Sequence, residues 1–388
     1  MNKKILLASD CFSENRNATL IAKQLQKIAN YKPENFLAAS LVSEGREYGD
    51  IPVITDATLP PSGGFATQSI GGFFADLFSG SLGIPFNFVK KIKNIADEIG
   101  LALVVGDVFL LWLVNRALKN KNIPILFYVH SKTDYIEPHY RIEERIIKNI
   151  ASDVFTRDEL TAESMRNKEI PAQFLGSVIM DELFPEEFEI PLDKSLQTVG
   201  ILPGTRGEAL DNFILILKVV EKLSEKRKLN FPAAMVGSLS DDKISEKCSK
   251  YGWKFIKSEH CNYIEKNSAR VLIVRRAFVN TVISSDILIG LTGAANEQAV
   301  GLGKPVLAFK GIGAQTTTKR FKEQERLLGG AMKFLKNDPD AVAEYALKLL
   351  DNPEERERMG KIGMERMGPP GGAERIAKYI YEKYLKNQ

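Results

Sequence analysis

Short apolar runs without polar alternation recur along this chain, and most are followed by a stretch whose apolar residues fall at helical spacing. Ile5 to Ala8 is the first, with a helix expected from about Ala18 to Ile28. Leu101 to Val105 leads through Gly106 and Asp107 into an apolar helix that runs to Leu118. Pro124 to Val129 and Asp153 to Phe155 repeat the theme. Runs of this kind are strands of a parallel sheet covered on both faces, because strict alternation is expected only where one face meets water.

The pattern restarts after a break. Residues 181–196 (DELFPEEFEIPLDKSL) mix prolines and acids with no period, as an interdomain linker would. Val199 to Leu202 opens a second series, and a helix from Glu208 to Leu223 carries Leu210, Phe213, Ile214, Leu217 and Val220 on one stripe. Phe231 to Val236, Val271 to Val274, Asp286 to Gly290 and Pro305 to Phe309 supply further strands. The expected fold class is therefore α/β, with domains at 1–190 and 191–365 and a cleft between them as the place for a ligand. The tail contains a helix from Ala341 to Leu350, then another helix, a Gly-Pro break at Gly368 to Gly372 and a last helix. Residues 366–388 are expected to cross back and pack on the first domain.

Composition narrows the function classes. With 388 residues, 44% hydrophobic and 26% charged, the chain is long enough for two ordinary cores and is globular in character. A net charge of +4 without a clustered basic stripe argues against nucleic acid and suits an anionic small substrate or lipid surface. Cys11, Cys248 and Cys261 form no paired motif, which points away from disulfides and zinc and toward a reducing, cytoplasmic setting. The opening MNKKILLASDCFSEN reads as a first strand and not as a signal peptide. No apolar run reaches the roughly 20 residues needed to span a bilayer, so membrane contact is expected to be peripheral.

Two loops carry candidate chemistry. In ILPGTRGE (201–208), a strand ends in Pro-Gly and turns into a helix N-terminus, where backbone amides and the helix dipole favour an anion. Gly204 permits the turn, Thr205 offers a hydroxyl and Arg206 a fork suited to phosphate oxygens. An ordinary strand-to-helix turn with an exposed arginine reads equally well. In TGAANEQA (292–299), Thr292, Gly293 and Ala294 again open a helix, and Glu297 is placed to accept hydrogen bonds from ribose hydroxyls. Here the competing reading is a capping arrangement, with Thr292 as N-cap and Glu297 serving the first turn. Neither loop matches a GxxxxGK[ST] phosphate loop, and 9–17 is not a GxGxxG turn, which disfavours an ATPase or a dinucleotide dehydrogenase.

The order of these segments resembles the lipid A disaccharide synthase family. Its LPGSR loop appears as Leu202-Pro203-Gly204-Thr205-Arg206, its SGTAxxEA element as Leu291 to Ala299 followed by Gly303 to Val306 (GKPV), and its VGxPxxD segment as Leu175 to Asp181. The resemblance implies the GT-B fold: two Rossmann-like domains facing a central cleft, a UDP-sugar donor held mainly by the second, and neither a metal nor a cofactor. By the same resemblance Thr205 and Arg206 meet the diphosphate, assisted by the amides of 292–294, and Glu297 holds the ribose. Gln315 and Gln324 resemble donor-sugar and diphosphate contacts, a polar helix face being the alternative. One departure is clear: where the family has a glycine-rich turn after the first strand, this chain reads Asp10-Cys11-Phe12-Ser13-Glu14-Asn15-Arg16-Asn17.

A transferase also needs a base for the acceptor hydroxyl or a group that steadies the leaving diphosphate. Asp107 is the catalytic candidate, at a strand end where the family keeps an aspartate; a helix-capping aspartate is the competing explanation. His130, with Lys132, Asp134 and Tyr135, follows another strand and is placed to line the cleft, whereas His139 and His260 sit among polar residues without an evident partner. Residues 60–95 interleave Phe65, Phe73, Phe74, Phe78, Phe86 and Phe88 with glycines and end in Lys90, Lys91 and Lys93. Such a segment suits the inner face of a membrane or an acyl chain, and equally a buried helix pair under the first sheet.

The leading expectation is transfer of a sugar from a UDP-sugar to a lipid-linked or glycolipid acceptor at the cytoplasmic membrane face. The alternatives are a nucleotide-sugar 2-epimerase, which needs a dense group of acids and bases that the motifs do not display, and a non-catalytic glycolipid-binding protein.

Overall fold

The structure, a computed structural model, describes residues 3–55, 83–205 and 207–386. It divides into two compact units, Met1–Asp181 with Pro370–Gln388, and Glu182–Pro369.

The first unit is built on six strands, β1 (Lys4–Ser9), β2 (Phe36–Ser40), β3 (Ile99–Gly106), β4 (Ile125–Val129), β5 (Asp153–Thr156) and β6 (Ala172–Gln173), paired in the order β2-β1-β3-β4-β5-β6. Every pairing is parallel. Helices α1 (Phe12–Ala29), α2 (Gly83–Asn94), α3 (Val108–Ala117), α4 (Arg141–Ile150) and α5 (Glu159–Arg166) connect them. Alternate strand residues enter two cores. Leu6, Ala8, Ala102 and Val104 join α2, α3 and α4 on one face. Ile5, Leu7, Leu101, Leu103 and Val105 join α1 on the other. The continuous apolar runs in the sequence follow from this burial on both sides. Because the chain leaves β1 in one direction for β2 and returns on the other side for β3, the sheet has its switch point between β1 and β3, where such sheets bind ligands.

Helix α1 starts at Phe12, six residues before the apolar spacing suggested. Its first turns bury polar residues. Asn15 is fully buried, accepting from Ser9 and donating to Ser43 Oγ and Glu47 Oε2, each at 2.8 Å. A helix whose inward positions are filled by hydrogen-bonded asparagines shows no apolar stripe, so periodicity misses it.

The second unit contains β7 (Val199–Leu202), β8 (Pro232–Met235), β9 (Lys254–Ile256), β10 (Tyr263–Lys266), β11 (Ala269–Arg275), β12 (Ile287–Gly290), β13 (Val306–Phe309) and β14 (Met332–Leu335), in the order β14-β13-β12-β7-β8-β11-β10-β9. Six of these strands are parallel; β10 pairs antiparallel with both β11 and β9. Strands β9 and β10 are not visible in the apolar pattern, because they are short and half polar; the turn from β10 to β11 rests on Asn267 in the left-handed region at φ 52°. The helices are α6 (Ala209–Lys226), α7 (Asp241–Ser249), α8 (Phe278–Ile283), α9 (Ala294–Gly301), α10 (Thr318–Leu327), α11 (Pro339–Leu350) and α12 (Pro353–Met367).

The acidic stretch expected as an interdomain linker is hydrogen-bonded into the second unit from Glu186 onward. Asn280 accepts from Glu186 N at 2.8 Å and donates to the carbonyls of Glu186 and Phe188, and Asn230 holds Asp193 and Leu196 in the same way.

The last helix, α13 (Gly372–Ile380), belongs to the first unit and lies on α1, with Ala373, Ile376, Ala377 and Ile380 in the α1-side core. Two carboxylates fix it. Asp181 caps its N-terminus, accepting from the amides of Gly371, Gly372 (3.1 Å) and Ala373 (2.6 Å). Asp153, buried at the start of β5, accepts from Tyr379 Oη at 2.9 Å, Lys383 Nζ at 2.7 Å and the Tyr384 hydroxyl. Among the described residues no helix is long and apolar enough to cross a membrane.

Candidate functional site

In the second unit the two loops singled out by sequence lie side by side. Strands β7 and β12 are adjacent and parallel, with Leu202 opposite Gly290, so both loops emerge from carboxyl ends at one edge of the sheet. Gly204, at φ 96°, takes a backbone conformation that disfavours L side chains. A Cβ built on it would lie 3.4 Å from the Leu291 carbonyl oxygen and 3.8 Å from Thr292 Cβ. Thr205 is exposed, Thr292 and Glu297 are half-buried, and Ala294 is exposed at the start of α9. Arg206 lies outside the described residues. The N-cap of α9 is Gly293 and no side chain caps it, so the expected capping role of Thr292 is not what the structure shows. A helix start left without a side-chain cap offers its first amides to an anion.

The loop after the neighbouring β13 completes this edge. Asn212, on the first turn of α6 and 1% exposed, accepts from Ile312 N at 2.7 Å and donates to Ile312 O at 3.3 Å. That pairing ties the loop carrying Gln315 to the helix behind Thr205. Gln315 Nε2 is buried without a hydrogen-bond partner, a donor that a ligand oxygen would satisfy. Gln324 is placed differently: it is buried on α10 and bonded to Gly293 O and Asn296. A separate cavity of about 590 Å³ opens at the far edge of the same sheet, lined by Ile190, Gln197, Thr198, Asn230 and Asp286, away from these loops.

The first unit gathers a second group, at the carboxyl ends of β1, β3 and β4. Asp10 follows β1, and its Oδ2 accepts the Asp107 backbone N–H at 2.9 Å. Asp107 follows β3 and caps α3, with Oδ1 accepting from Leu110 N at 2.8 Å. The capping explanation of Asp107 is thus correct as far as it goes, and it engages one carboxylate oxygen. His130 follows β4; its Nε2 is 3.7 Å from Glu14 Oε1 and its Nδ1 is 3.0 Å from Asn17 Nδ2. Burial pushes the Asp10 carboxyl well above its ordinary range, with Asp107 and Glu14 adding to the effect and the Asp107 amide opposing it. Burial also raises Asp107, against the amides of Leu110 and Phe109.

A close group of Asp10, Glu14, Asp107 and His130 therefore exists, contrary to the sequence reading that no such group was present. Its members are scattered over 120 residues and meet only at the strand ends. A signal was available: Asp10 stands directly after an apolar strand, as Asp107 does.

Lys132 is engaged elsewhere, bonded to Glu143 Oε2 at 2.8 Å and lying 4.0 Å from the centre of the Tyr140 ring. Asp134 N donates to Thr161 Oγ1 and Tyr135 N to Thr133 Oγ1, so the backbone after β4 is locked locally. His139 is buried, and burial pushes its imidazole below the usual value. Of the segment 60–95, residues 60–82 lie outside the described residues. The remainder forms α2 and the turn after it, with Phe88 buried and Phe86 77% exposed. Helix α2 packs against α3, whose Phe109 and Trp112 face outward and stack at 6.1 Å.

No family model matches the chain. A curated UDP-N-acetylglucosamine 2-epimerase from Neisseria meningitidis is 31% identical over 111 residues, which is 29% of this chain and 26% of that protein. The chain thus matches about a quarter of the length of this relative. The solved structure of a UDP-GlcNAc 2-epimerase from Neisseria meningitidis bound to UDP-GlcNAc aligns over 99% of this chain and 100% of its own, at 16% identity and a TM-score of 0.58. The calicheamicin glycosyltransferase CalG4 aligns over 100% and 99%, at 11% identity and 0.63. MurG from Acinetobacter baumannii aligns over 98% and 99%, at 14% identity and 0.60. The chain has the α/β fold of these proteins, the GT-B type with two Rossmann-like domains.

Proposed function

We propose that this chain is a UDP-sugar-dependent enzyme that transfers the sugar to a hydroxyl of a lipid-linked or glycolipid acceptor, as a lipid A disaccharide synthase-like glycosyltransferase. The observation that carries the reading is the contact of the turn at Gly204 with the turn at Thr292 on neighbouring strands. Two backbone-rich turns that adjoin present their donors to one pyrophosphate, which two turns on opposite edges do not.

In this reading the amides of 292–294, the Thr205 hydroxyl and Arg206 meet the diphosphate, Glu297 accepts from the ribose hydroxyls, and Gln315 Nε2 reaches the donor sugar. As the bond from the anomeric carbon to the diphosphate oxygen breaks, negative charge grows on that oxygen, where the amides and the helix dipole stabilise it. Asp107 takes the acceptor hydroxyl proton as the new glycosidic bond forms, and UDP departs. The scheme as proposed calls on neither a metal nor a bound cofactor.

A lipid acceptor places the protein at the cytoplasmic membrane face. The exposed Phe86, Phe109 and Trp112, with Lys90 and Lys93 exposed on α2, support a peripheral contact of this kind. Isothermal titration with UDP and UDP-N-acetylglucosamine tests the donor half; no heat at millimolar nucleotide removes it.

A specific observation favours a second reading. The acids Asp10, half-buried, and Asp107, exposed at its rim, stand beside Glu14 and His130 and supply the acid and base groups that epimerisation of a nucleotide sugar requires, and the curated relative is a UDP-N-acetylglucosamine 2-epimerase. Incubation with UDP-N-acetylglucosamine alone separates the two: a new epimer supports the second reading, and sugar appearing in added glycolipid supports the first.

A further inference from the structure

A buried amide ties the helix after β13 to the turn after β12. Gln324, 8% exposed on α10, donates from Nε2 to the Gly293 carbonyl at 2.9 Å and accepts at Oε1 from Asn296 Nδ2 at 3.1 Å. Asn296, fully buried on α9, also donates from Nδ2 to the Gly290 carbonyl at 3.3 Å. The Gly293 carbonyl accepts from the amides of Asn296 at 3.0 Å and Glu297 at 3.4 Å as well. In a trans peptide the carbonyl and the following N–H point in opposite directions. A Gly293 carbonyl held toward Gln324 and the first turn of α9 therefore sends the Ala294 N–H the other way, out of the start of the helix.

We infer that Gln324 is a positioning residue: it fixes the Gly293–Ala294 peptide so that its amide meets the donor diphosphate, and it touches neither diphosphate nor sugar. The inference rests on the reading of this edge as the UDP site. It replaces the direct ligand contact that the sequence suggested for Gln324 with an indirect one. Both ends of the side chain are used, and only an amide does both jobs: a carboxylate has no proton for the Gly293 carbonyl, and a thioether makes neither bond.

The test is Gln324→Met in the full chain, which keeps the volume and removes both bonds. Titration calorimetry with UDP and with UDP-N-acetylglucosamine is combined with amide hydrogen exchange over 290–297 in the unliganded protein. The expected result is a weakening of about tenfold that is equal for the two ligands, the scale of one lost hydrogen bond in a buried network, together with faster exchange at 291–297. Unchanged UDP binding with only the UDP-sugar weakened shows that Gln324 touches the sugar, and overturns the inference. Unchanged binding of both ligands overturns it too. Gln324→Glu retains the Asn296 bond and loses the Gly293 one, and carries the same expectations should the Met variant fail to fold. If the unaltered protein binds no UDP, the nucleotide reading fails and this inference goes with it. Binding by the unaltered protein and by both variants alike removes this inference alone.

Discussion

The carboxylate of Asp10 accepts the backbone N–H of Asp107 at 2.9 Å, across the two strands where the first sheet reverses its order. Gly106 makes the approach possible, since a Cβ there would lie 2.1 Å from Asp10 Oδ2. Desolvation raises both carboxyls, most strongly that of Asp10, where the nearby charges of Asp107 and Glu14 add to it.

Asp107→Asn is expected to lower kcat of the sugar reaction by about 10²- to 10⁴-fold while leaving UDP affinity unchanged. Initial rates and titration calorimetry on the same preparation check this. Equal losses in both would show that Asp107 shapes the fold and does not serve the chemistry.

Asp10→Asn is expected to stabilise the protein at neutral pH. A carboxyl raised in the folded state binds its proton more tightly there than in the unfolded chain, so its contribution is full below the unfolded value and is lost as pH climbs through the folded one. Removing the titration should lift Tm by roughly 2 °C or more at pH 8, with the gain shrinking toward pH 4. Calorimetric scans at several pH values measure it, and a gain that grows on acidification would contradict the burial argument.

Gly204→Ala places a side chain at φ 96° beside Leu291 and Thr292. Strain of about 1–2 kcal/mol should distort the turn and weaken UDP binding about tenfold or more, with the circular dichroism spectrum unchanged. Wild-type affinity in this variant would mean that the turn is no part of a phosphate site.

Asp181→Ala removes the acceptor for three amides at the start of α13. The expected loss is about 2 kcal/mol, read as a lower urea midpoint with an unchanged slope. The Leu175–Asp181 segment, noticed in the sequence for its resemblance, serves in the structure to seat the C-terminal helix.

Phe109→Ser with Trp112→Ser should reduce co-sedimentation with anionic phospholipid vesicles several-fold and leave UDP binding intact, since both side chains already face outward. Unchanged sedimentation would turn attention away from this surface.

The apolar runs by themselves determined most of the parallel strands and the division into two α/β halves. A strand buried on both faces must be apolar at every position, and that signal is local. Gly204, Thr205 and the 292–294 turn were legible for a similar reason: the residues a tight turn and a free helix start require sit next to one another in sequence. What only the tertiary structure decided is which distant groups meet. Asp10 reaches Asp107 across 97 positions, His130 reaches Asn17 across 113, and Gln324 reaches the Gly293 carbonyl across 31. The edge strands β9 and β10 and the polar first turns of α1 escaped notice because hydrogen bonds, more than apolar burial, hold them. Contacts between strand ends depend on strand order, and strand order leaves no periodic trace in the chain.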